Sequence, residues 1–231
     1  KEDKVKEIKF PSSQIIKMYK KLYKTYGAQG WWPFMESGYH PNEYDFPRNE
    51  SQLFEIYLGV ILTQNTTFTS VVKSLNNLKK SNSLNSITIQ NMPLDKLKSA
   101  IKPSGYFNQK ATYILEVISF LQSLKGRVPS RSELLQVKGI GPESADSILL
   151  YGYNKSEFIV DTYTKRLLIH TGLIDEKASY NTIKKLMEEA ILQEIKEPQE
   201  LLICYQEFHA LIVTHAKLFY SKKPYGVNCF L

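Results

Sequence analysis

The 231-residue chain has only two cysteines, Cys204 and Cys229, too few for a disulfide framework or for a four-thiolate metal or iron–sulfur site. It has no apolar run near the ~20 residues that span a bilayer, and no charged-then-apolar leader. Membrane and secretory readings therefore drop out, and a reducing cytoplasm is expected. Nor is there a repeat of solenoid period, a long low-complexity tract or a run of strictly alternating strands. What remains is an ordinary globular composition, 42% hydrophobic and 12% aromatic, able to bury a sizeable core. The length suits one large domain or two interlocked lobes.

Thirty Lys and Arg against 23 Asp and Glu leave a net charge of +7. Such an excess suits a polyanionic partner, because neutralising phosphates releases condensed counterions. It serves solubility equally well, so charge alone does not select a nucleic acid.

Helical spacing dominates. Ile183, Leu186, Met187, Ala190 and Ile191 form one stripe and Ile114, Leu115, Val117, Ile118 and Leu121 another, both predicting core-facing helices. Gln52–Leu62 is apolar on all sides and predicts a buried helix, and Leu201–Tyr220 predicts a long C-terminal one. Breakers and large aromatics mix between Gly27 and Pro47, an irregular connection, and the polar stretch Asn76–Asn91 reads as a link between helices. The expected class is all-α with roughly ten helices.

Two segments carry chemistry. In Leu134–Asp146 a Gly139-Ile140-Gly141 turn joins two apolar helical stretches. Glycines permit backbone angles closed to other residues and remove side chains that would hold a phosphate away. Pro142 fits a first helical position, and the helix start offers free N–H groups to an anion. A plain helical corner would have the same pattern. Twenty residues past Gly141, Asp161 ends the apolar run Phe158-Ile159-Val160 and starts a helix, where an ordinary N-cap is the alternative to a functional carboxylate.

Taken together, Leu134–Asp146 and Ile159-Val160-Asp161-Thr162 resemble the helix-hairpin-helix (HhH-GPD) DNA glycosylases of the endonuclease III superfamily. The resemblance extends to Leu62-Thr63-Gln64-Asn65-Thr66, to Pro103–Ala111 with its Gly-Tyr/Phe-Asn-x-Lys-Ala element, and to Phe208–Lys217. It implies a two-lobed all-α fold with a cleft, one lobe of six helices at 50–155 and the other built from 1–49 plus 156–231. Two departures matter. Members with lyase activity carry Lys where this chain has Glu143, and a carboxylate cannot form a Schiff base. Many members end in four cluster-binding Cys, whereas Tyr220–Leu231 keeps one, so no iron–sulfur cluster is expected. These departures and Trp31-Trp32-Pro33 look most like the 3-methyladenine glycosylase branch called MagIII.

The resemblance implies that a damaged base in double-stranded DNA is flipped into a pocket while the protein fills the gap. Gln64 is the candidate filler, or else a polar residue closing a helix. Gly139, Ile140 and Gly141 would hold the strand backbone, with a monovalent cation shared between the hairpin carbonyls and a phosphate. Lys138, Lys165, Arg166 and Lys217 would add phosphate contacts, unless they are solvated charges. Asp161 would stabilise positive charge on the sugar or activate water. Trp31, Trp32 and Phe34 would wall the pocket and attract a cationic base, or they pack the core. Tyr106 and Phe107 are open to the same two readings.

The leading expectation is a monomeric, monofunctional glycosylase for alkylated purines, cytoplasmic and nucleoid-associated if prokaryotic, which leaves an abasic site and needs no cofactor. The alternatives are a bifunctional glycosylase-lyase for oxidised pyrimidines or a mismatch glycosylase, and a non-catalytic DNA-binding module.

Overall fold

The structure, a computed structural model, describes residues 12–231. Among these the chain forms eleven α-helices and no strand beyond one isolated bridge, Phe34 to Gly38. They divide into two units, one taking the chain up to Gln29 together with Phe158–Leu231, the other Gly30–Glu157. The first eleven residues, included in the expected 1–49 segment, lie outside the described residues.

The first unit holds α1 (Ser12–Tyr26), then α9 (Thr162–His170), α10 (Tyr180–Glu194) and α11 (Pro198–Phe219). α1 packs on α10 and α11, and α11 on α9. The stripe predicted from Ile183 to Ile191 faces this core, with Ile183, Met187 and Ile191 fully buried, as are Phe208 and Leu211 of α11. α11 begins three residues before the predicted Leu201, because Pro198 suits the first helical turn and the Glu197 carboxylate caps the Glu200 amide.

The second unit comprises α2 (Glu50–Leu62), α3 (Phe68–Lys80), α4 (Ser86–Asn91), α5 (Leu94–Ile101), α6 (Phe107–Leu124), α7 (Arg131–Gln136) and α8 (Pro142–Ser147), which runs on into a π-helical turn, Ile148–Gly152. α2 is buried on all sides, as its uniform apolarity predicted, and packs on α3, α6 and α8. The stretch Asn76–Asn91 is not a link. Val71, Leu75 and Leu78 hold α3 in the core as far as Lys80, and Asn85 caps a further helix by accepting from the Thr88 amide, leaving a connection of only 81–85.

The expected boundary at residue 50 is also displaced, because 30–49 belongs to the second unit. The Glu55 carboxylate accepts from the Met35 amide at 2.6 Å, Lys79 donates to the Met35 carbonyl, and the Trp32 indole lies over Gly59, where a Cβ would sit 2.8 Å from the ring. Burial on α2 is what ties this irregular segment down.

Candidate functional site

The hairpin is built from both of its helices. Ser130 and Glu133 form a reciprocal capping box that starts α7. Arg131 makes a bidentate ion pair with Asp146, Nε to Oδ1 at 2.8 Å and Nη2 to Oδ2 at 3.1 Å, and so bolts α7 to α8. The Asp146 side chain is fully buried, so cutting the pair would leave a charge with no water to receive it. Pro142 occupies the first helical position of α8, as predicted.

The two hairpin glycines play different parts. Gly139 has φ +94°, and a Cβ there would fall 2.3 Å from the Tyr113 ring, so both backbone angle and space demand glycine. Gly141 is extended, with φ −94°, and a Cβ would meet nothing within 4 Å. The expectation that both glycines adopt angles closed to other residues therefore holds for Gly139 alone. Gly141 instead leaves the mouth of the turn open. Ile140 is buried as an anchor, and Lys138 and Glu143 are exposed.

Gln64 lies two residues beyond α2, past the Thr63 cap, so it does not close that helix. Its amide donates to the Gly139 carbonyl at 2.7 Å and to Ser144 Oγ at 3.0 Å. The turn carrying the candidate filler is thus fastened to the hairpin. The exposed Asn65 beside it has φ +52°.

Tyr106 stands out among the aromatics. It is 64% exposed and left-handed, with φ +46°, directly after Gly105 at φ +70°. A bulky residue in that region is an outlier that the surrounding structure must impose.

The three pocket candidates separate. Trp32 and Phe34 are buried, the first against Gly59 and Tyr151, the second stacked on His40 and Phe46. Their placement is that of core residues. Trp31 is half-buried, and its ring lies 6.4 Å from Phe68 with the planes 29° apart and 6.1 Å from Tyr151. Phe68, at the start of α3, has no local sequence signal, since a lone Phe at a helix start reads as core.

In the first unit Asp161 is an N-cap, and its Oδ1 does the capping, accepting from the Thr164 amide and from Thr164 Oγ1, both at 2.7 Å. Both bonds go to Oδ1, so Oδ2 takes no part in the cap. Burial pushes the His209 imidazole of α11 below its ordinary pKa, and the charge of the Asp161 carboxylate opposes that shift. In the sequence His209 stands out only as one of two histidines in the mostly apolar stretch Leu201–Tyr220.

The four basic candidates also differ. Arg166 is not a solvated charge: it donates to the Tyr220 carbonyl at 2.9 Å and stacks on Tyr225, 4.6 Å from the ring centre, bracing the C-terminal segment. Lys165 is half-buried and Lys217 exposed.

That segment holds Cys229 between His215 Nε2, at 3.2 Å, and the Tyr220 hydroxyl, at 3.3 Å, while Cys204 is buried in α11. Two thiols in the whole chain do not fit a four-thiolate cluster. Among the described residues no helix is long and apolar enough to cross a membrane.

Comparison with known proteins agrees with the hairpin. The chain is 39% identical to a Methanocaldococcus jannaschii protein whose name marks it as a candidate DNA repair glycosylase, over 97% of this chain and 96% of that one. It is 32% identical to an endonuclease III of Thermotoga maritima over 62% of this chain and 70% of the relative. Among solved structures, the 3-methyladenine DNA glycosylase MagIII of Helicobacter pylori, bound to 1,N6-ethenoadenine, superposes with a TM-score of 0.68 at 31% identity, covering 90% of this chain and 98% of that one. The sequence profile of the HhH-GPD superfamily of base excision DNA repair proteins matches residues 58–193. With its glycine hairpin, its helix-capping Asp161 and its all-helical architecture, the chain belongs to that superfamily and is a DNA glycosylase of base excision repair.

Proposed function

We propose that the protein is a monofunctional glycosylase for alkylated purines in double-stranded DNA. The observation that carries this reading is the near-parallel pair Trp31 and Phe68, 6.4 Å apart. A flat base between two rings needs about 3.5 Å of van der Waals distance on each side, so a small opening admits a purine. Two π-faces around a desolvated cation contribute ~2 kcal/mol or more, which selects a base carrying positive charge over a neutral one. Similarity to the MagIII structure supports the same substrate class.

Extrusion is assigned to the two turns of the second unit. Gln64 fills the vacated space, and the exposed ring of Tyr106 props the duplex open beside it. The hairpin amides around Gly141 hold the strand backbone, with Lys138 adding charge.

In the reaction the bond from C1′ to the base nitrogen breaks, and its electron pair leaves with the base. A cationic base becomes neutral as it departs, so no general acid is needed. Positive charge grows on the sugar, where Asp161 stabilises it through the oxygen that the helix cap does not use. Water then adds its oxygen to C1′, and its proton passes to the carboxylate. With Glu143 in place of an amine, no imine forms and the product is an intact abasic site.

Base release from duplexes carrying 3-methyladenine, 7-methylguanine, thymine glycol, uracil or hypoxanthine tests this. The first two should be excised, with strand breaks only after alkali and no borohydride-trapped adduct. Preference for thymine glycol, or trapping that disappears when Lys138 or Lys217 is replaced, would move the chain to the bifunctional class.

A further inference from the structure

Lys110 is the one lysine of the Gly-Tyr/Phe-Asn-x-Lys-Ala element, and the reaction above makes no use of it. Its side chain is 2% exposed. The ammonium donates to two carbonyls at 2.8 Å each, those of Leu62 and Ser104. Leu62 is the last residue of α2, and its carbonyl belongs to the group that a helix end leaves without an intrahelical partner. Ser104 ends the short 3₁₀ turn that leads into Gly105 and Tyr106. One buried cation therefore joins the turn that bears Gln64 to the turn that bears Tyr106.

The surroundings make this tie stiff. Ser104 Oγ lies 2.7 Å from Ser74 Oγ, which also donates to the Ile101 carbonyl at 3.2 Å, so the second turn is held from beneath by α3 and α5. Gln64 is fastened to the Gly139 carbonyl. Three residues along α6 from Lys110, the Tyr113 ring fills the space under Gly139. The first two turns of α6 thus underlie all three turns, 62–66, 104–106 and 137–141. Buried lysine is uncommon because its charge must be taken out of water. Burial alone pushes this one down to about 8. Such a residue is costly as a mere space filler, and its reach to two separate turns supplies what a methionine of similar length would not.

We infer that Lys110 is a positioning residue for base extrusion, setting the distance and angle between the turn of Gln64 and the turn of Tyr106 so that filler and prop enter the duplex together. This rests on the assignment of those two side chains to extrusion, but not on which lesion is cut.

The test uses the full chain and a duplex with 2-aminopurine beside a tetrahydrofuran abasic analogue, whose fluorescence rises when the stack opens and which needs no chemistry. Wild type, Lys110→Met and Lys110→Gln are compared with Gln64→Ala and Tyr106→Ala. Lys110→Met should bind undamaged duplex within about 3-fold of wild type, because the hairpin is intact, yet lose at least about 5-fold of the fluorescence rise. Lys110→Gln, which keeps a donor, should fall between them, and it decides the matter if the methionine variant does not fold. A full rise in the lysine variants would overturn the inference. So would a loss of undamaged-duplex affinity as large as the loss of signal, since that marks general collapse of the unit. A normal rise in both alanine variants would instead refute the roles given to Gln64 and Tyr106. Failure of the alkylpurine assignment shows only in the base-release panel.

Discussion

Asp161 offers a perturbation in which one oxygen can be tested apart from the other. Its Oδ1 accepts two hydrogen bonds from Thr164, through the amide and through Oγ1, and the Thr164 side chain lies in a fully buried residue. Asn retains an equivalent oxygen, so Asp161→Asn should leave the cap in place and change stability by less than about 1 kcal/mol. Asp161→Ala removes the acceptor. Losing a cap costs ~1 kcal/mol, and stranding a buried hydroxyl adds ~1–3 kcal/mol, for a total of about 2–4 kcal/mol and a drop in Tm of the order of 10 °C. Catalysis should not follow that ranking. Both variants lose the negative charge, so both should slow single-turnover base release by ~100-fold or more, while duplex affinity stays near wild type. Thermal melts, fluorescence anisotropy on a duplex and base release at saturating enzyme measure the three quantities. A folded Asn variant that keeps more than a tenth of the rate would refute the electrostatic role and leave Asp161 as a cap alone. Equal stability of Asn and Ala would refute the assignment of Oδ1 to the helix.

Further expectations follow from burial and space. Gly139→Ala places a Cβ in the Tyr113 ring at φ +94°, and it should weaken binding to damaged and undamaged duplexes alike and destabilise by about 1–3 kcal/mol; Gly141→Ala should be near neutral in thermal melts. Trp32→Ala opens the core over Gly59 and should cost about 3–5 kcal/mol, whereas Trp31→Ala should lower Tm much less and cut excision of 3-methyladenine more than duplex affinity. His215 is buried and shifted by that burial to about 4, below the ordinary 6.5, so the unfolded chain takes up its proton first. Its contribution is complete above about pH 6.5 and is lost as pH falls toward 4; urea melts at pH 7.5 and 4.5 should show this, and His215→Gln should flatten the dependence.

Local pattern was enough for the elements whose cause is local. The all-round apolarity of α2, the stripe along α10, Pro142 at the start of α8 and Asp161 before Thr162 each depend on residues within one or two turns, and the chain order of those segments already resembled the HhH-GPD superfamily. Helix ends at Asn85, Glu197 and Pro198 also depend on short-range capping chemistry, although the polar composition of Asn76–Asn91 masks the first of them. Other outcomes depended on residues far apart in the chain. Trp31 and Trp32 are adjacent and chemically identical, yet one is sealed against Gly59 while the other meets Phe68, because packing against α2 and α3 distinguishes them. Arg166 became a brace only because Tyr220 and Tyr225 return to it. The need for glycine at 139 comes in part from a tyrosine 26 positions earlier, and the work of Lys110 comes from carbonyls at 62 and 104, which carry no side-chain signature. Backbone carbonyls and ring faces are present along the whole sequence, and only the tertiary structure decides which of them a given side chain meets.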